Sequence, residues 1–305
     1  MGLNKNTIMT ERSKVLARRE TRNAYLFLLP SLVFFVGFVI VPMVLCIVMS
    51  FFDSSMGKNT HDTFIGFANY VELWKDPIFL KALKNTLVIV IVSVPVVTLF
   101  SLWVSSAVYQ MHGAALSFFR CVFYLPVVTG SVAVTVVWKW MFNNYYGIFN
   151  YIGKTTGLLD KNINWLGDER FALACIILIL LTTSVGQPIV LYVSALGNVD
   201  NSLIEAAEVD GANHLQVFWK IKWPQIMPTT LYILVITTIN SFQCFALIQL
   251  LTSGGPNHST DTVMYYIYYT AFKLYRYGYG NAMGVILAIF IAVLSAVQFK
   301  LAKEK

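Results

Sequence analysis

Six long apolar runs dominate this chain, at 24–52, 83–109, 116–142, 171–196, 228–251 and 282–302. About 20 apolar residues in a helix cross the hydrocarbon core of a bilayer, and only a helix or a closed barrel can satisfy its own backbone there. Runs of this length predict an all-α polytopic membrane protein with six transmembrane helices. A mean hydropathy of +0.65 with 12% charged residues excludes an ordinary soluble domain. The first run is too long for the core of a cleaved signal, polar sequence precedes it and no small-residue cleavage site follows, so it reads as a span. The polar segment 1–23 reads as a tail, and 24–305 as one membrane domain.

The net charge of +7 does not predict a nucleic-acid partner, because the basic residues sit beside spans. Lys5, Arg12, Lys14, Arg18, Arg19 and Arg22 precede the first, and Lys300, Lys303 and Lys305 close the chain. By the positive-inside rule both termini of this inner-membrane protein are expected in the cytoplasm. Lys58, Lys75 and Lys81 in an outer loop discriminate poorly, so the orientation rests mainly on the N-terminal cluster. Cys46, Cys121, Cys175 and Cys244 all fall in spans without a pairing pattern and read as small apolar packers. His61, His112, His214 and His258 are scattered over different loops, which predicts no metal site.

Three segments fall outside the membrane in this orientation. The first, 53–82, contains the amphipathic FIGFANYVELWKD, expected to lie along the membrane surface. The second, 143–170, is rich in Gly, Asn and Tyr. The third, 252–280, carries Gly254-Gly255-Pro256 and then Tyr265, Tyr266, Tyr268, Tyr269, Tyr275, Tyr277 and Tyr279. The tyrosines read as an interfacial aromatic belt, with an outer gate or a docking surface as the other reading. Pro30, Pro42, Pro95, Pro126 and Pro188 lie inside spans, where a kinked backbone survives only if neighbours or a water-filled cavity serve the freed carbonyls.

The loop 197–227 is different in character: EAAEVDGANHLQVFWKIKWP is polar and helix-forming. Ser202 to Glu205 predicts a capping box, Asp210-Gly211 a turn, and Asn213 to Gln216 a second capped helix that Pro224 ends. Leu215, Phe218 and Trp219 give that helix an apolar face. On composition alone the loop is either a connector lying on the surface or a docking device.

The spacing E-A-A, three residues, G, nine residues, I-x-x-P, carried by Glu205, Ala206, Ala207, Gly211, Ile221 and Pro224, resembles the signature loop of bacterial ABC-importer permeases. Trp223 stands where that family usually has leucine. YLFLLP, FIGFANY, FYLPVVTG, LIQLLTSGGP and YYIYYTAF extend the resemblance over most of the chain, and it is closest to the maltose and glycerol-3-phosphate type permeases. The resemblance implies a type I ABC-importer permease fold. It implies a coupling helix, with Glu205, Ala206, Ala207, Asp210, Gly211 and Ala212, docked in a groove of a separate dimeric ATP-binding subunit. A second permease, an extracellular sugar-binding protein and membrane lipid would be the other partners.

No Walker A motif is present; Gly147 to Thr155 comes near but has the wrong spacing. ATP therefore belongs to the partner, and the chain itself is expected to need no cofactor and to catalyse no bond chemistry. No Asp or Glu falls inside a run, which disfavours a proton- or sodium-coupled carrier. Thr182, Thr183, Ser184 and Gln187 in the fourth run, and Thr237, Asn240, Ser241, Gln243 and Cys244 in the fifth, read either as interhelical glue or as substrate contacts. By resemblance, Gly186, Ile189, Thr237, Asn240, Ser241 and Cys244 occupy sugar-contacting positions. The expected cargo is a sugar or oligosaccharide; a polyol phosphate, or an autonomous carrier, are the alternatives.

Overall fold

The computed structural model describes residues 5–55 and 62–303. Lys58, His61 and Lys305 lie outside them, as do the side chains of Lys5, Arg12, Lys14, Arg18 and Lys303. Helix α1 (Lys5–Phe35) runs through a π-turn (Val36–Ile40) into α2 (Val41–Met49). The expected tail 1–23 is thus helical from Lys5: no Gly or Pro interrupts Lys5 to Leu29, so the span's helix propagates backward through good helix formers. Strands β1 (Phe52–Asp53) and β2 (Thr63–Phe64) pair antiparallel ahead of α3 (Ala68–Leu73).

Helix α4 (Pro77–Val108) is the central rod. Asp76 caps it, accepting from the N–H groups of Ile78 and Phe79, and Pro77 occupies its first turn, where no N–H is needed. The remaining elements are α5 (Ala114–Val128), α6 (Ser131–Met141), α7 (Ile148–Thr155), α8 (Ala172–Ser184), α9 (Gly186–Gly197), α10 (Asn201–Val209), α11 (His214–Val217), α12 (Trp223–Phe242), α13 (Ala246–Leu251), α14 (Val263–Phe272) and α15 (Tyr277–Lys303). Helices α9 and α12 flank α4, α5 lies on α9, and α15 packs against α12, α14 and α2.

Among the described residues five helices are long and apolar enough to cross a membrane, six if the bent pair α5–α6 counts as one span. The kink expected at Pro126 in the third run is a sharp turn a few residues on: α5 and α6 meet at 94° across Thr129-Gly130. Two other runs are interrupted more gently, at Val185 between α8 and α9 and at 243–245 between α12 and α13.

The amphipathic stretch that begins in β2 is tied to the fold along one side, while Phe64, Phe67, Val71 and Trp74 stand exposed on the other. Asn69 is buried and donates to the carbonyls of Ser50 and Phe52, and Leu73 is fully buried. The tyrosine series likewise departs from a simple belt. Tyr265, Tyr266 and Tyr279 are buried; Tyr265 donates to the Ser253 carbonyl, while Tyr266 and Tyr279 donate to Asp76 at 2.7 and 2.8 Å. Burial pushes the Asp76 carboxyl up, but these hydroxyls and the helix N–H groups outweigh it and hold it below its ordinary value.

Candidate functional site

Residues 198–224 form a helical hairpin at one end of the bundle. Helix α10 begins two residues earlier than the spacing suggested. Asp200, not Ser202, is the cap: its carboxylate accepts from the Ser202 N–H at 2.9 Å, and bonds from Ser202 hold it below the usual carboxylate range. Glu205 makes no capping bond among the described residues and is exposed. Its C-terminus closes by a Schellman motif, the Ala212 N–H bonding the Ala207 carbonyl and the Gly211 N–H that of Glu208. Gly211 holds φ +82 with open space where a Cβ would lie, so the demand for glycine is torsional and not steric.

The second capping box is present as expected, Asn213 and Gln216 each accepting the other's N–H at 2.9 Å. Pro224 does not end the helix that follows. A π-turn at Phe218–Lys222 carries α11 into α12, and Trp223 donates to the Phe218 carbonyl five residues back. The widened turn makes room for the proline ring, which an α-turn would drive into the carbonyl four residues earlier. His214 to Leu251 is consequently one near-continuous rod. Lys222 anchors it sideways, donating to the Tyr109 hydroxyl at the end of α4. The tip of the hairpin presents apolar side chains to solvent: Val209 is 88% exposed and Leu215 71%, with Trp219 beside them.

The three helix breaks converge on two adjoining cavities that share Val127 and Thr183. The larger, about 330 Å3, lies between Pro126, Thr129 and Ser131 on one side and Gln243 to Leu247 on the other. The smaller, about 140 Å3, is lined by Ser184, Gln187, Thr237 and Asn240 among others. The backbone at the second and third of these breaks is served by neighbouring elements. Ser101 and Ser105 of α4 donate to the carbonyls of Val185 and Ile189, and Thr262 donates to that of Cys244 at 2.8 Å. Gly186 is buried where α9 meets α5, and a Cβ there would stand 2.4 Å from the Phe123 carbonyl oxygen.

Of the six expected substrate residues, Thr237 and Asn240 line the smaller cavity and Cys244 the larger. Gly186 is a close-packing position, Ser241 is buried, and Ile189 packs with Val97, Val185 and Val193. The polar groups of these runs divide by use. Thr182 and Thr183 bond back to the Ile179 carbonyl, and Thr238 to that of Leu234. The side chains of Thr237, Asn240, Gln187 and Gln243 make no hydrogen bond among the described residues. Sequence spacing did not single out Thr129 and Ser131, which the α5–α6 bend brings to the larger cavity; the Thr-Gly pair after Pro126 was the available signal.

The profile described as "Binding-protein-dependent transport system inner membrane component" matches residues 76–303. The multiple sugar-binding transport system permease protein MsmF of Streptococcus mutans is 32% identical over 88% of this chain and 94% of its own length. The lactose transport system permease protein LacF of Rhizobium radiobacter is 30% identical over 97% and 99%. One chain of a bacterial alginate ABC transporter, solved in complex with an alginate pentasaccharide-bound periplasmic protein, superposes with a TM-score of 0.81 at 23% identity, covering 94% of this chain and 96% of its own. That likeness concerns the fold, and it is the type I importer permease fold. A matched profile across three quarters of the chain, relatives aligned over nearly their full length, and a helical hairpin interrupting a bundle of spans lead to one assignment: the chain belongs to the family of binding-protein-dependent transport system inner membrane components, the permease subunits of ABC importers.

Proposed function

We propose that this permease carries a sugar or oligosaccharide, driven by a separate ATPase and supplied by an extracellular binding protein. The carrying observation is the chemistry of the two cavities at the helix breaks. Their polar lining consists of hydroxyls, amides and the Cys244 thiol; the side chains of Ser131, Ser184, Gln187, Thr237, Asn240 and Gln243 make no hydrogen bond among the described residues, and no charged side chain lines either cavity. Such groups donate and accept without the desolvation cost of a buried charge, which suits a neutral polyol. A phosphorylated cargo would call for Arg or Lys at the same depth. Relatives that take up multiple sugars, lactose and diacetylchitobiose support the reading.

The hairpin is the coupling element, with both termini on its side of the membrane, in the cytoplasm. Glu205, Ala206, Ala207, Asp210, Gly211 and Ala212 seat in the ATPase, Glu205 facing basic residues of that subunit, and transmit force without bond chemistry. A second permease, two ATPase copies and the binding protein complete the importer. Because the rod from His214 reaches Thr237 and Asn240 without a break, displacement of the hairpin tilts the wall of the cavity directly. ATP binding would bring the two hairpins together and open the path outward; hydrolysis returns it. Thr237, Asn240 and Cys244 contact the sugar, while Gly186, Ile189 and Ser241 set the shape of the wall behind them.

The test is purification of the tagged chain from its native membrane in gentle detergent, with mass spectrometry of what co-purifies. An ATPase and a second permease are expected, and Glu205→Ala with Gly211→Asp should lose the ATPase. Recovery of the chain alone would overturn the coupling role. Asn240→Ala should abolish uptake while the complex assembles; unaltered uptake would remove the cavity assignment.

A further inference from the structure

A groove lined by aromatic rings lies far from these breaks. Helix α6 leads away from the deep cavities to Trp140, and the chain then turns through 142–147 into α7. Trp140, Tyr145, Tyr146 and Tyr151 form the walls of a groove of about 440 Å3, with Lys154 at its edge. The rings face solvent: Tyr145 is 84% exposed and Tyr151 69%. Helices α8 and α9 run from this end back to the hairpin, a rise of about 39 Å for 26 helical residues, which places the groove at the opposite end of the bundle.

An aromatic belt in the lipid interface needs nothing beneath its rings, whereas here there is a fixed amide lattice. Asn150 is buried, donates to the carbonyls of Asn143, Asn144 and Ile163, and accepts from the Ile163 N–H and the Trp165 indole. Asn162 donates to the same Asn144 carbonyl at 2.7 Å. Tyr145 is shared with a second cavity of about 560 Å3, whose lining includes Lys139, Asn144, Asn164 and the turn at Gly255-Pro256. The side-chain oxygen of Asn144 is buried there without a hydrogen-bond partner. An orphan acceptor beside a polar cavity is open to a donor from water or from a ligand. Each cavity falls within the usual size range for small-molecule sites, about 300–1,000 Å3.

We propose that this paired groove is an entry subsite for carbohydrate, in which Tyr145 and Tyr151 stack on sugar rings and Asn144 accepts a sugar hydroxyl. A pyranose ring has just these two aspects, a C–H face that packs on an aromatic ring and a rim of hydroxyls that both donate and accept. The inference rests on the carbohydrate reading above and deepens it. The subsite acts after the binding protein has delivered its cargo and holds the outer rings of a chain whose leading ring has entered the deep cavities.

The experiment is uptake by cells carrying the intact importer, from a panel of radiolabelled lactose, maltotriose, raffinose and N,N′-diacetylchitobiose. Tyr145→Ala with Tyr151→Ala should lower the maximal rate about tenfold for trisaccharides and less for disaccharides, the loss expected from two stacking contacts. Asn144→Ala should act in the same direction. The half-saturating sugar concentration should hold, because the binding protein sets it, and so should the amount of complex in the membrane, because both rings are exposed. Unaltered uptake by the ring variants would make the groove an interfacial belt and remove the subsite while leaving the carbohydrate reading intact. A rise in the binding-protein concentration that half-stimulates ATP hydrolysis, equal for every sugar, would make it a protein-docking surface. A wild-type importer that takes up none of the panel would remove the carbohydrate reading and this inference with it.

Discussion

Gly211 acts through one torsion angle. At φ +82 an L side chain is disfavoured by about 1–2 kcal/mol, yet nothing stands within 4 Å of where a Cβ would be. Gly211→Ala should therefore leave the bundle folded and loosen only the Schellman closure of α10, reducing the ATPase retained in a pull-down. Gly197→Ala, also in open space but without a positive φ, is the control and should retain it fully; equal retention by both would show that the turn is not what the partner reads. Asp76 makes a different prediction. Its folded carboxyl titrates below the ordinary value, so the stability it lends is complete above about pH 4 and lost as pH falls through the lowered value. Asp76→Asn keeps a cap but loses the charge that Tyr266 and Tyr279 bond, at a cost of about 1–2 kcal/mol for this partly exposed group. The detergent-solubilised variant should melt below wild type at pH 7 and close to it at pH 3; a gap of the same size at both would exclude the carboxylate as its source. Neither the glycine turn nor Asn213 needed a structure to be recognised, since both follow from local chemistry. Asp76 with its two tyrosines could not be recognised, because the partners stand about two hundred residues apart.

At the scale of the element, hydropathy located the membrane helices, and the prolines marked kinks in them without giving the size of the turns. A window sums apolar character and is indifferent to direction, so FYLPVVTG reads as the middle of a span although the chain turns by 94° just beyond it. Pro224 misled in the opposite sense: a proline in a helical pattern reads as a stop, and a single π-turn absorbed it. The Gly186 and Gly130 positions separate two kinds of break. At Gly186 a Cβ would meet the Phe123 backbone at 2.4 Å, so Gly186→Ala must push α5 off α9, an overpacking cost of about 1–3 kcal/mol. At Gly130 the backbone is in an ordinary negative-φ conformation, and a Cβ finds open space. Gly130→Ala should transport and purify as wild type, whereas Gly186→Ala should lose monodisperse protein on size exclusion and lower uptake. Comparable behaviour of the two would mean that the α5–α9 contact does not govern the path.

For the whole molecule, the unpaired surfaces matter more than the packed ones. No side chain is buried along 19–49, the apolar run of α1 and α2, and lipid or another membrane subunit can cover it at no cost in polar groups. The hairpin tip is another matter, since Val209, Leu215 and Trp219 are exposed at the end of the bundle on a polar element. The loop signature announced a docking surface, but which of its side chains stand outward depended on the hairpin's geometry. On the reading proposed above, the exposed apolar tip of the hairpin and the unengaged polar groups at the helix breaks await the other subunits of an importer. Reconstituted alone in liposomes with internal ATP, the chain should move no sugar above the leak of empty vesicles. Uptake should appear once the second permease, the ATPase and the binding protein are present, and Val209→Asp, which places a charge on the tip without touching the bundle, should lower it more than tenfold, the loss expected when a buried apolar contact becomes an unpaired charge. Sugar entry through the isolated chain would return the autonomous carrier to consideration, and full uptake by Val209→Asp would move the ATPase contact elsewhere on the hairpin.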